Sequence, residues 1–495
     1  MTDLPSIETE PRMLIDGKLV DADSGGTFEV INPANQELVG RVADASAGDM
    51  ARAIDAARRA FDDTDWSTNR ELRKQCLQQL QDALDSEVEE MREQLIQEAG
   101  APRMLTASAQ LDVPLKDALR HPISLIDTFE WETDLGEALN LQGKVDRRRV
   151  VRMAAGVVGA ITPWNFPFEV TINKLGQALA TGNTMVLKAA PDTPFNATLI
   201  GRLVAKRTDI PPGVLNIVTS SDHLRGEDLT LSPKVDLISF TGSTAVGQRI
   251  MEKGAATLKR LFLELGGKSA TVVLDDADLV AASFMGLAVC THGGQGCAIP
   301  TRMLLPRSRY DEGIELLVQM MQHAPYGDPQ RPDVLQGPQI SEKQRQRVLG
   351  YIEKGKAEGA RLVLGGGVPK GDEFDRGFFV EPTLFADVDN SMTIAQEEIF
   401  GPVLVVIPFD DDDDAVRIAN ESRYGLGGGV MSGSHERSLA VAERLRTGMV
   451  SIDGGAPYGA DLPFGGFKFS GVGRQNGTAG FDQYLELKSY AWPAE

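Results

Sequence analysis

The chain is poor in cysteine, in basic residues relative to acidic ones, and in long apolar runs. Its three cysteines, Cys76, Cys290 and Cys297, make neither a disulfide framework nor a metal-ligand spacing, so no metal is expected and a reducing compartment is. Against 71 Asp and Glu stand only 50 Lys and Arg, a formal charge of −21. That balance repels nucleic acid and anionic membrane and disfavours any function built on a basic patch. Nowhere do about 18 apolar residues follow one another. Met1 to Arg12 reads MTDLPSIETEPR, without the basic-then-apolar order of a leader. The expectation is a soluble cytoplasmic protein with no nucleic-acid or membrane partner. The run Asp410 to Asp414 lacks the interleaved glycine and terminal Glu of a calcium loop and reads as a solvated helix start.

At 495 residues the chain is too long for one small core and implies two or three domains. Met13 to Ala45 alternates apolar and polar residues between turn signals, which predicts short strands. Two helices should follow. One runs from about Gly48 to Phe61; the next is opened by a capping box of Thr68 and Glu71 and closed near Gly100, with Leu72, Cys76, Leu80, Leu84, Val88, Met91 and Leu95 on one face. Cys76 therefore belongs to the core. Ala138 to Val151 turns polar and basic and predicts an exposed hairpin. From Gly156 onward strands and helices alternate: Val157 to Ile161, Thr184 to Leu187, Val214 to Val218 and Val235 to Phe240 as strands, with a helix after Thr244. A second series runs from Ser269 to Leu274, through a helix leading towards Cys297, to Met303–Leu305 and the helices about Tyr310–Gln322 and Ser341–Glu358. Such alternation argues for doubly wound parallel sheets with ligands beyond the carboxyl ends of the strands.

Several residues stand out chemically. Cys297 follows Gly293-Gly294-Gln295-Gly296; a thiolate is a strong nucleophile, and glycines let a substrate come close. Cys290, seven residues earlier, should face the core. Gly242-Ser243-Thr244, between an apolar run and a helix, can present backbone N–H groups to a phosphate, though a plain strand-to-helix turn reads the same. Gly266-Gly267-Lys268-Ser269 mimics the end of a nucleotide loop, but the required earlier glycine falls at Phe262. Thr162 to Pro167 breaks the chain twice with proline and can aim the Asn165 amide at an oxyanion. Glu264, inside an apolar run, is a carboxylate whose neighbours would raise its pKa towards that of a general base. Taken singly, each of these has an ordinary structural reading.

In order along the chain occur Pro163-Trp164-Asn165-Phe166-Pro167, Phe240-Thr241-Gly242-Ser243, Leu263-Glu264-Leu265-Gly266-Gly267-Lys268, Gly294-Gln295-Gly296-Cys297, Glu398-Ile399-Phe400-Gly401-Pro402 and Pro463-Phe464-Gly465-Gly466-Phe467-Lys468. Together they resemble the motif set of the aldehyde dehydrogenase superfamily, over about Met13 to Tyr490. The resemblance implies that Cys297 is the nucleophile, Glu264 the general base, and Asn165 with the Cys297 N–H the oxyanion hole. Lys188 would hold the adenosine ribose, Trp164, Gly242 and Ser243 the pyrophosphate, and Glu398 the nicotinamide ribose, with Phe400 behind the nicotinamide. Phe166, Asn173, Thr291 and Phe464 would line the substrate tunnel. It implies a cofactor-binding domain (1–131 and 155–266), a catalytic domain (267–468) and a β oligomerisation element (132–154 and 469–495), hence a homodimer or homotetramer. The implied reaction is NAD(P)-dependent oxidation of an aldehyde to a carboxylic acid through a thioester, with water as acceptor.

Three positions depart from the pattern. Pro191 stands where NAD-selective members often carry an acidic residue, so NAD is favoured with NADP left open. Asp453 replaces a frequent Asn, and Gln475 a frequent Glu after Gly-x-Gly-Arg. Asn173 and Thr291 stand where some members have aromatic residues, which predicts a wider, more polar tunnel. Two rival readings are a CoA-acylating dehydrogenase, against which Glu264 argues, and a non-catalytic binding member of the family, against which the filled reactive positions argue.

Overall fold

The computed structural model describes residues 8–494. Its first sheet is built on five parallel strands that stand in the order Arg260–Glu264, Leu237–Thr241, Val157–Ile161, Thr184–Lys188, Leu215–Val218. The sequence expectation of a doubly wound α/β fold is met. Alternate residues serve opposite faces: Val158, Ala160, Met185 and Leu187 join one core, and Val157, Val186, Ile238 and Phe240 the other. Burial on both faces explains why these strands read as unbroken apolar runs rather than as alternating ones. Met13–Ile15 and Lys18–Val20 extend one edge antiparallel, and Gly471–Val472 closes the other against Leu263 and Glu264.

The chain crosses from one side of this sheet to the other between Val157–Ile161 and Leu237–Thr241. Parallel sheets open a crevice at such a reversal, and here its two lips are the loops after Ile161 and after Thr241. The second sheet has the order Arg361–Leu364, Thr383–Ala386, Val403–Phe409, Arg302–Pro306, Ala270–Val273, Gly427–Met431, Met449–Ile452, parallel except at its first strand. A third sheet joins Glu132–Leu139 and Val145–Ala154, the expected hairpin, to Leu485–Pro493. Its turn and outer strand leave Leu135, Leu139, Leu141, Leu487, Tyr490 and Trp492 exposed. Gly471–Val472, although within the segment expected to belong to this small element, pairs instead with the first sheet.

Local corrections have local causes. The helix expected from Thr68 to Gly100 is two, Arg70–Asp85 and Val88–Ala99. Its cap is Asn69, whose side chain accepts from the Leu72 N–H, while Thr68 donates to the Asp65 carbonyl instead. The break falls where the Ser86 hydroxyl takes the Ala83 carbonyl, a side-chain bond that competes with the helix ladder. A reciprocal capping box does occur one helix earlier, at Ser46 and Asp49 before Ala47–Asp63. The apolar stripe survives the break, since Cys76, Leu80, Leu84, Met91 and Leu95 are all fully buried. Asp411 caps the helix Asp412–Asn420, so the aspartate run is a helix start. Among the described residues no helix is long and apolar enough to cross a membrane.

Leu187 is fully buried in the middle of the first core. Leu187→Ala removes its packing and leaves a cavity, so the protein should lose about 2–5 kcal/mol of stability, read as a lower midpoint in urea or heat.

Candidate active site

A single cavity of about 760 Å³ opens at the crevice of the first sheet and reaches Cys297. Trp164, Asn165, Phe166, Gly242, Ser243, Glu264, Cys297, Glu398, Phe400, Asn173 and Phe464, widely separated in the chain, all line it. Two of the expected residues do not. Thr291 lies at a kink, and Lys188 turns its ammonium onto the carbonyls of Ala189 and Ser220, 3.3 Å from each.

The approach to Cys297 is less regular than the helix expected there. Leu279–Gly286 is α-helical and Leu287–Gly294 tightens to a 3₁₀ turn that kinks at Thr291, with His292, Gly293 and Gly294 at positive φ. At Gly294 a Cβ would fall 2.1 Å from the Gly401 carbonyl oxygen, so only glycine fits. The loop is braced from below. Gln295 donates to the carbonyls of His292 and Pro338 and accepts from the Ile340 N–H, and Gln339 donates to the Gly293 carbonyl. Cys290 is fully buried in the second core, as expected, with its thiol pushed up to about 12 by burial. Cys297 by contrast is half-buried and reaches the cavity.

Glu264 ends the strand Arg260–Glu264, and its carboxyl lies beside the Cys297 thiol. Burial pushes Glu264 up to about 8, against the opposing pull of the Cys297 thiol and the Lys174 ammonium. Burial and the Glu264 charge hold Cys297 well above its ordinary value. Oε1 of Glu264 is buried with no hydrogen-bond partner, which leaves an acceptor aimed at whatever enters. Asn165 stands at the opposite lip, before the helix Pro167–Ala180, whose first position is the proline of the motif. Its carbonyl accepts from Gln110 at 2.6 Å, and its amide gives one N–H to the Gln295 carbonyl at 2.9 Å. The second amide N–H remains for a ligand.

The other end of the cavity has a different character. Ser243 caps the helix Thr244–Gly254, and with Gly242 it lines the opening. Trp164 and Phe400 meet edge to face, 5.4 Å between ring centroids. Glu398 accepts from the Gly267 N–H at 3.0 Å, and a Cβ at Gly266 would lie 2.3 Å from its Oε2. Burial raises Glu398 to about 7. Gln344 and Arg347, on the helix Glu342–Ala357, hold the carbonyls of Phe400 and Glu398, and with Lys343 they line the same end. A helix start, two cations, an aromatic pair and a carboxylate over glycine suit an anionic, ribose-bearing dinucleotide.

Sequence reading passed over four contributors. Lys343 and Arg347 sit on a helix recognised only for its period. Asp192 lines the cavity one residue beyond Pro191 and within electrostatic reach of Lys188, so a carboxylate is present although not at the position inspected. Glu169, at the third position of the helix after Asn165, lines the substrate side; its place four residues past Asn165 was the available signal. Of the departures, Asp453 accepts from the Ser432 N–H and the Ser438 hydroxyl, and Gln475 donates to the Asn173 carbonyl and to Gln177.

Comparison with known proteins agrees with this arrangement. Residues 19–490 match the model of the aldehyde dehydrogenase family. A 3-succinoylsemialdehyde-pyridine dehydrogenase of a Pseudomonas species is 42% identical over 96% of this chain and 97% of its own length. The crystal structure of a Mycobacterium tuberculosis aldehyde dehydrogenase complexed with NAD+ superposes with a TM-score of 0.92 at 40% identity, covering 98% of each chain. That of a cysteine-to-alanine variant of aldehyde dehydrogenase C from Pseudomonas syringae, with NAD+ and octanal, gives 0.91 at 36% identity over 98% of this chain and 97% of its own. The chain belongs to the aldehyde dehydrogenase family.

Gly267 is what lets the two halves of the site touch, since a Cβ there would lie 2.4 Å from the Cys297 carbonyl oxygen. Gly267→Ala should displace Cys297 and lower aldehyde oxidation at least tenfold, about 1.4 kcal/mol in the barrier, with a much smaller change in thermal midpoint. Steady-state kinetics beside a melting curve measures both.

Proposed function

We propose that the protein oxidises an aldehyde to its carboxylic acid with NAD, through a covalent adduct on Cys297 that water resolves. The observation that carries this reading is the buried contact of the Cys297 thiol with the Glu264 carboxyl at one end of the cavity, with the dinucleotide-like end opposite. Glu264 takes the Cys297 proton and the sulfur attacks the carbonyl carbon. The negative charge that develops on oxygen is met by the free Asn165 amide N–H and the Cys297 backbone N–H. NAD, when bound, supplies the hydride acceptor. Loss of hydride from the adduct leaves a thioester on Cys297. Glu264 passes its proton to solvent and then removes one from the water that attacks the thioester carbon; the C–S bond breaks, the acid leaves, and the sulfur takes a proton back.

Ser243, Gly242 and Trp164 would hold the pyrophosphate, Lys188 and Asp192 the adenosine ribose, and Glu398 the nicotinamide ribose, with Phe400 behind the ring. Asp192 favours NAD, because a carboxylate accepts from ribose hydroxyls and repels a 2′-phosphate; Lys188 and Lys343 leave NADP as a weaker alternative. The segment 267–468 carries the nucleophile, and the three-stranded sheet forms the oligomerisation element. Its exposed leucines, Tyr490 and Trp492 favour burial against a second copy. Unpaired thiols at Cys76, Cys290 and Cys297 suit a cytoplasmic enzyme.

Glu264→Gln should slow both the burst of reduced nicotinamide and the turnover that follows it, because Glu264 first takes the Cys297 proton and later one from water. A burst at the native rate would mean that another group accepts the thiol proton, and strict dependence on CoA in the native enzyme would replace water by a thiol acceptor. The base works deprotonated and its pKa is raised to about 8, so steady-state turnover should climb with rising pH and level off above roughly pH 9. In Glu264→Gln this rise should vanish. Light scattering should give the mass of a dimer or tetramer, and a monomeric mass would contradict the role of the third sheet.

A further inference from the structure

On the substrate side of the cavity, Glu169 makes no ion pair with any described residue. Its Oε1 accepts both the Tyr458 hydroxyl and the Asn173 amide, each at 2.5 Å, and Oε2 has no hydrogen bond. Among the described residues no Lys, Arg or His lies within ion-pair distance of it. The nearest candidate, Lys174 on the same helix, is committed elsewhere: its ammonium bonds the Ser239 hydroxyl at 3.1 Å and stands 4.4 Å over the Phe262 ring. The cations that line the cavity, Lys343 and Arg347, belong to the far end beside Phe400 and Glu398. Phe166, Val170, Ile299 and Phe464 give the same cavity an apolar wall, with Gln475 the further polar side chain beside Asn173.

Two neutral donors on one oxygen fix the carboxylate in place at the cavity wall and leave the other oxygen without a partner. A buried carboxylate without a cation is costly unless a partner arrives. Burial raises Glu169 to about 7, with Tyr458, Lys174 and Asn173 pulling the other way. Its charge is also felt at Cys297 and Glu264, so it stands within reach of a short aldehyde held at the sulfur. A carboxylate-bearing aldehyde would meet repulsion here. A protonated amine would meet a prepared acceptor, and the apolar wall would take the methylenes between the amine and the carbonyl.

We propose that Glu169, positioned by Asn173 and Tyr458, is a specificity-determining residue that selects aldehydes carrying a protonated amine at the end distant from the carbonyl. This rests on the reading that aldehydes react at Cys297 in this cavity. Two measurements test it. With NAD, the ratio of kcat/KM for ω-aminoaldehydes over n-alkanals of matched length should favour the amine about tenfold or more, the scale of one charge-assisted hydrogen bond. In Glu169→Gln that ratio should fall by about the same factor, mostly through KM. Independently, calorimetry on the enzyme with NAD+ should find n-alkylammonium ions bound more tightly than n-alkanols of the same length, a preference that Glu169→Gln removes. A wild-type preference for alkanals and alkanols, or an amine preference that survives in Glu169→Gln, overturns the proposal. If neither aldehyde series yields reduced nicotinamide while the ammonium preference is present and depends on Glu169, the oxidative reading of the site fails and the amine subsite stands.

Discussion

Desolvation of two acids side by side is the constraint on which the site rests. Taken alone, burial would hold the proton on Cys297 and on Glu264 and make both inert. Brought together, they meet the same penalty in a way that suits the proton exchange proposed: the carboxyl, raised to about 8, has the strength of a useful base, and the thiol that resists ionisation has an acceptor beside it. Cys290 shows what burial does without that neighbour. Its thiol rises to about 12 and only fills space.

Contact between the two groups is achieved by convergence of two sheets rather than by any one motif. Glu264 ends a strand of the first sheet, Cys297 hangs on a kinked turn before a strand of the second, and Gly266 and Gly267 are the short link between the sheets. Both glycines are pressed, one by the Glu398 carboxylate and the other by the Cys297 carbonyl. The close approach is thus a property of the backbone, and the side chains that do the chemistry are carried to it. The Asn165 loop comes in from the switch point of the first sheet, so Cys297, Glu264 and Asn165 each arrive from a separate element.

How much of this was legible depended on whether the signal was local. Strands buried on both faces announced themselves as apolar runs at Val157–Ile161 and Thr184–Lys188, and the glycines before Cys297 announced an unusual backbone. Glu264 standing in such a run was unusual, but an outward-facing residue read the same, and only the resemblance of the six motifs gave it a role. What was hidden was register in space. Pro191 drew attention to a missing carboxylate, but the loop turns so that Asp192, one residue on, reaches the cavity. Lys343 and Arg347 looked like the solvent face of an ordinary helix, because a period of 3.6 says which residues share a face and not what the face looks onto. The Asn69 cap escaped for a comparable reason: Thr68 offered the same chemistry one position early, and only the Asp65 carbonyl, closed by a turn, decided between them.

The antiparallel pairing of Gly471 with Glu264 and of Val472 with Leu263 bears on when, during synthesis, the site first exists. Domains tend to fold in the order they leave the ribosome, and the strands from Val157 to Glu264 can assemble early. The edge beside the base stays open until residues near the far end of the chain are made and return to it. A nascent chain that already carries Cys297, Glu264 and Asn165 therefore lacks the strand that seats its base. The seat of the base is complete only once residues 471 and 472 have been made.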